Sequence, residues 1–408
     1  MLNQGNSAGT PDQDLGREFT IHYNSDGTEK TWSTPYRKDM TLTYGSATTV
    51  NISAGAVRLN STWYNFTTGT AFGDAVNGVL TPTQTMGQVY AVCAEEVSSA
   101  LEVNLYKLME NTPATDIYKW DEAGYYLSDH NTSGRCRPTD SNHTSILLGY
   151  MSIGKTYAAS GTGTEILEYS IVNNDNLNGK TLAAGIPLPN QVFVPSRGFA
   201  IDIYETQVCA QAGALSTSDR CSGTDWGDAD GNAHSGNVVT VRSKYNIFPS
   251  RGNEAYADGL TYHDFIWAGE VSGKRLPTDA EWSRAAQYGL TRSLATGTTT
   301  NMPKGNNGAG GDYDGTNPEE TGGTTANRDI FNTLGLADLN GNLWEYVDDS
   351  LYWGTESTRT SQFGSDYQDG GVVLRGGYWV DTTAAGVFAR AYSWAALGYP
   401  AVGARLAR

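Results

Sequence analysis

Val372-Val373-Leu374-Arg375-Gly376-Gly377-Tyr378-Trp379 opens the last part of the chain: apolar, largely β-branched positions run into two glycines and then two aromatics. Such residues fit a pleated, half-buried surface, and paired glycines allow the backbone angles that end it. The pattern predicts a strand, a loop-bearing stretch and a final strand at Gly403-Ala404-Arg405 that is tied into a sheet. Working upstream, Asn340-Gly341 is a tight-turn dipeptide between apolar flanks, with Leu343, Trp344 and Tyr346 expected to pack beneath it. Residues 296–326 are Gly, Asn and Thr with almost nothing apolar, and read as a long surface excursion.

Two helix signatures precede that excursion. Thr261 can cap a helix whose Tyr262, Phe265, Ile266 and Gly269 fall at i, i+3, i+4 and i+7. Pro277 leads into Thr278-Asp279-Ala280-Glu281, a capping box followed by Trp282, Ala285 and Ala286 at core spacing, with Gly289 to stop it. Strands are expected near residues 193–204 and 238–245. This half therefore reads as α+β.

The first half has a different grammar. Val57, Leu59, Trp63, Tyr64 and Phe66 alternate with small and polar residues, and further strand runs fall at 87–93, 100–105, 116–120 and 145–152. That spacing predicts one β-sandwich over residues 46–160. Residues 1–45 are polar, with strand pieces such as 19–23, and read as an arm or small β element for assembly or attachment. Ala159 to Thr164 is a small-residue linker, so a boundary is placed there, and residues 165–171 begin another strand in a domain spanning 161–408.

Composition narrows the function. A length of 408 residues corresponds to roughly two or three domains. The formal charge of −17 repels phosphate backbones and anionic membranes, which excludes nucleic acid as the main partner. No run of apolar residues is long enough to insert into a membrane, and the first segment lacks the basic start and apolar block of a Sec signal. Of the four cysteines, Cys209 and Cys221 can close a loop; the other reading is four unpaired thiols. The five histidines lie in unrelated contexts, and no Ser elbow, HExxH or phosphate loop is present.

Four motifs in order carry a resemblance: Gly273-Lys274-Arg275-Leu276-Pro277-Thr278 with Glu281-Trp282, Gly341-Asn342-Leu343-Trp344-Glu345-Tyr346, Leu374-Arg375-Gly376-Gly377, and Gly403-Ala404-Arg405. Together they resemble the C-type lectin fold in its formylglycine-generating-enzyme-like branch. Within it the chain is most similar to the variable proteins of diversity-generating retroelements, and among those to a phage receptor-binding member. The likeness extends over residues 46–408, through Ile52-Ser53-Ala54-Gly55-Ala56-Val57 and Leu148-Gly149-Tyr150 in the sandwich and Glu168-Tyr169-Ser170 and Ala255-Tyr256-Ala257-Asp258-Gly259 beyond it.

The resemblance implies a mostly β protein, a β-sandwich followed by a C-type lectin domain, whose residues 374–405 form a variable region rewritten at template adenines. Tyr378, Val380, Asp381, Arg390, Tyr392, Ser393, Leu397, Tyr399 and Ala401 fall at or near diversified positions, and all are reachable from an AAY codon. Trp394 is not; it either derives from another codon or belongs to the scaffold. Arg375, Gly376, Gly377, Trp379, Gly386, Phe388, Gly403 and Arg405, with Arg275, Trp282 and Trp344, are implied as scaffold. The implied protein is not an enzyme. It is a homotrimer on a viral tail fibre or tip, or on an extracellular surface, binding a host or target-cell macromolecule, most simply a protein, without a cofactor.

Three other readings compete. An oxidase of the formylglycine-generating class would carry the same fold, but its chemistry requires a cysteine pair near the end of the chain, and here all four cysteines precede Thr224. A calcium-dependent sugar lectin would offer Glu-Pro-Asn or Gln-Pro-Asp, and neither occurs. Asp225, Asp228, Asp230 and Asn232 make an oxygen-rich loop that suits structural Ca²⁺ or, more simply, a solvated turn, and Asn332, with the Gly335 and Ala337 carbonyls, resembles a structural calcium position of the enzyme branch. A structural fibre or surface-adhesion role is the third.

Overall fold

The computed structural model describes residues 36–60, 62–107, 145–156, 163–173, 190–195, 198–210, 239–243, 245, 249–251, 260–292, 299–300, 321, 331–351, 371–381, 385–394, 398–399 and 401–408. The architecture is mostly β. Expectations for residues 1–35, including 19–23, and for 116–120 lie outside the described residues, as do Cys136 and Cys221 and the Cys209 side chain.

The first part contains β1 (Tyr36–Lys38), β2 (Leu42–Ser46), β3 (Thr49–Ile52), β4 (Gly55–Leu59), β5 (Thr62–Phe66), β6 (Ala71–Phe72), β7 (Ala75–Val76), β8 (Val79–Leu80), β9 (Val89–Val97), β10 (Ala100–Lys107), β11 (Ser145–Gly154), β12 (Glu165–Ile166) and β13 (Val172–Asn173). They pair as β1-β4-β5, as β2-β3-β8-β7-β6, and as β10-β9-β11-β12 with β13 also on β11. Alternation decides what each strand buries. On β10, Leu101 and Val103 point inward while Ala100 and Lys107 are exposed. β9 lies between β10 and β11, so its first seven residues are all buried. Leu42, Ile52, Leu59, Phe66, Leu80, Val92 and Leu148 close one core. Each such side chain contributes about 1.5–3 kcal/mol by leaving water. Cys93, inside β9, is disulfide-bonded, which removes the reading of four unpaired thiols.

At residues 165–171 the expected strand is shorter than the sequence suggests. Only Glu165 and Ile166 pair, Ile166 opposite Ile153 of β11, and a 3-10 turn follows at Glu168–Ser170. Ile166 belongs to the first core and Leu167 to the next, so the chain passes from one hydrophobic cluster to the other between adjacent residues.

The second part contains β14 (Gln191–Val194), β15 (Phe199–Asp202), β16 (Thr206–Ala210), β17 (Val239–Ser243), α1 (Tyr262–Val271), α2 (Asp279–Ala286), β18 (Thr291–Arg292), β19 (Thr299–Thr300), β20 (Trp344–Leu351), β21 (Gly371–Gly376), β22 (Gly386–Trp394) and β23 (Val402–Ala404). Both helices form where the caps predict. The Thr261 and Thr278 hydroxyls each accept the N3 amide, and Asp264 and Glu281 each return a bond to the cap amide. The sheet runs β22-β21-β20-β23, with β23 parallel to β20 and the other pairs antiparallel.

This sheet carries a core on each side. Tyr346, Val372 and Leu374 pack with Phe265 and Ala268 of α1. Val347 and Val373 pack with Trp282, Ala285 and Ala286 of α2. The Asn340-Gly341 turn forms, with φ of 92° at Gly341, but its flanks do not pair as a hairpin. Leu334, Leu336, Leu339 and Leu343 are all buried, so the segment before β20 is an internal loop held by its own apolar residues. Thr321, in the stretch read as a surface excursion, is also fully buried. The chain end is tied in as expected: Arg408 N–H donates to Ala200 O at 2.8 Å, and Ala200 N–H returns to Arg408 O at 3.0 Å.

Candidate functional site

β21 is buried along its whole length and ends at Gly376 and Gly377, with φ of 94° and 91°. A Cβ on Gly377 would stand 2.5 Å from the Cα of Ala385, so only a glycine lets the following loop close onto the start of β22. The loop is braced internally. Tyr378 N–H donates to Asp381 Oδ2 at 3.2 Å, Asp381 N–H donates to Tyr378 O at 3.0 Å, and Ala385 N–H donates to Asp381 O at 3.2 Å. Burial raises the Asp381 pKa against the lowering effect of the Tyr378 amide and the Trp344 side chain. Trp379 is buried, edge-on to Tyr378 at 5.1 Å, with the Arg251 guanidinium 5.7 Å above its ring.

β22 follows with a bulge: Gly386 pairs with Gly376 but Arg390 with Arg375, so residues 387–389 stand between the two pairs and the alternation is broken there. Val387 is fully buried and Ser393 is 6% exposed, whereas Phe388 at 52%, Arg390 and Tyr392 at 37% face solvent. The Arg390 guanidinium lies 5.5 Å over the Tyr392 ring. It also meets Asp279 Oδ2 at 3.4 Å. Asp279 accepts Arg375 Nε as well, and Arg375 is the register partner of Arg390 across the sheet. One carboxylate at the start of α2 therefore holds a scaffold arginine and a more exposed arginine together, while the Asp279 backbone N–H donates to Asp349 Oδ2 at 2.6 Å.

Beneath this surface lies a buried polar lattice. Trp282 Nε1 donates to Glu345 Oε2 at 2.6 Å. Arg405 donates to the same carboxylate, Nε to Oε2 at 3.1 Å and Nη2 to Oε1 at 3.0 Å, and caps the carbonyls of Asp202, Ile203 and Ala337. Burial opposes the Arg405 charge, but Glu345 and Glu205 hold it protonated. Lys274 Nζ meets Asp202 Oδ1 at 2.7 Å, both side chains sealed from water. Glu205 accepts from Asn342 Nδ2 and from Leu343 N–H. Burial, with Asp338 and Glu345 nearby, raises its pKa well above the usual carboxylate range.

The residues expected at diversified positions divide by exposure. Val380 is 48% exposed, and Arg390 and Tyr392 share the outer face of β22. Tyr378, Asp381, Tyr399 and Ala401 are half-buried; Tyr399 packs on the α1-side core and Ala401 O accepts the Trp344 N–H at 2.9 Å. Ser393 departs from expectation, because its place on the strand turns it inward. Phe388 departs in the opposite sense: a residue implied as scaffold stands half in water. Leu397 and the Trp394 side chain lie outside the described residues. Among the scaffold set, Trp282, Gly376, Gly377, Trp379, Gly403 and Arg405 are buried, Trp344 is half-buried, and Arg275 is exposed but forks onto Glu281 at 2.6 and 2.7 Å. Asp279 was legible only as part of a capping box; nothing local signals its two arginines.

The oxygen donors do not assemble a calcium site at Asn332. Its Oδ1 accepts the N–H groups of Leu334 and Leu336, both at 3.0 Å, its Nδ2 donates to Ala285 O at 2.7 Å, and the Ala337 carbonyl accepts Arg405. Both lone pairs of that amide oxygen already accept N–H donors. Asp225, Asp228 and Asp230 lie outside the described residues. Among the described residues, no three His, Cys, Asp or Glu side chains are grouped to hold a metal, and no helix is long and apolar enough to cross a membrane.

Residues 194–408 match the family described as sulfatase-modifying factor enzyme 1-like domain. No curated protein matches the sequence. Among solved structures, the chain is similar to the Major Tropism Determinant P3c variant at 18% identity, covering 99% of this chain and 97% of that one with a TM-score of 0.53. It is similar to the U1 variant at 19% identity over 99% and 97%, and to the M1 variant at 18% over 98% and 96%, each with a TM-score of 0.53. These likenesses show a shared fold over nearly the whole chain.

Proposed function

The chain belongs to the sulfatase-modifying factor enzyme 1-like domain family, and on that premise we propose that it is a non-enzymatic receptor-binding protein that displays a diversified face on a C-type lectin scaffold. A β-sandwich over residues 46–160 precedes that scaffold, which spans residues 161–408. The observation that carries the reading is β22, where Arg390 and Tyr392 stand side by side in solvent on a strand whose neighbour β21 is wholly buried. Binding energy concentrates in large, rigid side chains presented from an immobile base, because little rotamer freedom is lost on contact. The buried lattice of Trp282, Glu345 and Arg405 supplies such a base, and the loop of Tyr378, Val380 and Asp381 extends the face.

The Major Tropism Determinant variants, whose fold the chain shares, are named for host choice, and this supports a host-surface partner and display at a phage tail fibre or tip. A homotrimer would present three copies of the face, so that weak contacts add by avidity. Oxidase chemistry of the family lacks its thiolates here: no cysteine follows Cys221, and Cys93 is committed to a disulfide.

Sequencing the locus across independent isolates tests the reading. Differences confined to codons 378–401, beside a reverse transcriptase gene and a near-duplicate template rich in Asn codons, are the expected result; differences spread evenly along the gene would refute it. Light scattering should give three times the chain mass, and a monomer would count against the assembly.

A further inference from the structure

Arg375 and Arg390 stand opposite each other across β21 and β22, and both reach the start of α2. Like charges placed directly opposite on a sheet repel, so the pair needs an anion between them. Asp279 supplies one carboxylate for two guanidinium groups. Its Oδ1 accepts Arg375 Nε, whereas its Oδ2 only stands near Arg390 Nη2, at 3.4 Å and without a hydrogen bond. The neighbouring carboxylates are engaged elsewhere: Asp349 Oδ2 accepts the Asp279 N–H, and Glu281 is forked by Arg275. Among the described residues, no other carboxylate pairs with either arginine, and no guanidinium N–H of Arg390 finds an acceptor. The Arg390 side chain is 38% exposed, and the Tyr392 ring braces its guanidinium at 5.5 Å.

We infer that Arg390 is a carboxylate-recognition point of the binding face, and that the partner's Asp or Glu side chain supplies the second anion that this arginine pair lacks. This rests on the receptor-binding reading above and names the chemistry of its partner. A planar fork with its donors unmet matches the two oxygens of a carboxylate, and a guanidinium already braced by a ring has less freedom to lose on contact. The source of that carboxylate is a protein surface. A formal charge of −17 repels a dense polyanion at long range, whereas a single acidic side chain within a largely neutral patch meets little of that field. Tyr392 offers such a patch an aromatic surface beside the charge.

The full-length protein is immobilised and panned against a displayed library of random dodecapeptides. The expected peptides share an Asp or Glu at one recurrent position. Arg390→Ala should lower their capture about tenfold, and Arg390→Lys should restore only part of it, because an ammonium lacks the fork. Changing the recurrent acid of the peptide to its amide should cost the unaltered protein a similar factor and cost Arg390→Ala nothing further, which is the signature of a direct pair. Both variants should keep the melting temperature of the unaltered protein.

Several results would overturn the inference: enriched peptides without an acid, an amide change that costs Arg390→Ala as much as the unaltered protein, a large fall in melting temperature for Arg390→Ala, or preferential capture of heparin over every peptide. If the enriched peptides lack an acid and their capture is lost in Tyr392→Ala, the arginine is wrongly assigned and the binding face stands. If no peptide is enriched, or neither Arg390→Ala nor Tyr392→Ala alters capture, the binding face fails with it.

Discussion

Arg405 and Glu345 are 60 residues apart in sequence and meet in the interior, Nη2 to Oε1 at 3.0 Å, with both side chains sealed from water. Glu345 also receives Trp282 Nε1, and Arg405 also fastens three carbonyls, so neither charge is left uncompensated. A buried pair of this kind adds little over an apolar pair of equal shape, but removal of one partner strands the other. Arg405→Ala is therefore expected to cost about 3–5 kcal/mol in urea unfolding. Wild-type stability in that variant would show that the pair is not closed in solution.

The aromatic residues of the binding face should separate by burial. Tyr392→Ala should change stability by less than about 1 kcal/mol, since a residue half in water is usually within the range of surface substitutions. Tyr399→Ala should cost about 2–3 kcal/mol, because that ring packs on the core of Tyr346, Val372 and Leu374. Parallel thermal melts of the two variants check this. Equal losses would mean that the two rings are equally buried.

Asp279 holds Arg375 on a largely buried side and Arg390 on a more exposed one, with side-chain exposures of 18%, 11% and 38%. Asp279→Asn is expected to lose about 1–3 kcal/mol, nearly all through Arg375, because exposed pairs contribute little. Arg390→Ala in the Asp279→Asn background should then add almost nothing. A double-mutant cycle measures it, and strong coupling to Arg390 would contradict the assignment.

Stability should also respond to pH through Glu205. Its folded pKa is raised above the unfolded value by burial and by Asp338 and Glu345, so the folded state holds more protons between those two values. Stability therefore declines as pH rises through that window and recovers as pH falls back to the ordinary carboxylate pKa. Glu281 acts in the opposite direction. Burial opposes its charge, but the Arg275 fork and the Thr278 amide lower its pKa, so its contribution is present above the unfolded value and fades as pH falls through the folded one. Glu205→Gln should flatten the loss of melting temperature as pH rises above the ordinary carboxylate pKa, because the amide has no charge to bury. A fall at pH 7 with the slope intact would reject this.

Local chemistry made several elements readable from the sequence alone. Thr261 with Asp264 and Thr278 with Glu281 are three residues apart, so the bonds that start both helices depend on their own segment and little else. Alternation on β10 and β4 is equally local. The 3-10 turn after Ile166 was not readable, because whether Leu167 continues a strand depends on which of two cores receives it. The tight turn at Asn340-Gly341, with Leu343 and Tyr346 buried beneath it, was readable because the dipeptide specifies the bend, whereas the path of the buried loop around it is a tertiary matter.

The sequence by itself determined the order of elements, the two capped helices and a C-terminal strand row whose residues, outside the bulge at 387–389, divide into two faces, because period and capping act over a few residues. Only the tertiary structure decided which of those faces meets water. It placed α2 against the sheet, brought Asp279 to Arg375 and Arg390, turned Ser393 inward and left Phe388 outside. Strand periodicity assigns residues to sides but cannot say which side is covered, and at an edge strand that depends on where elements a hundred residues away are laid down.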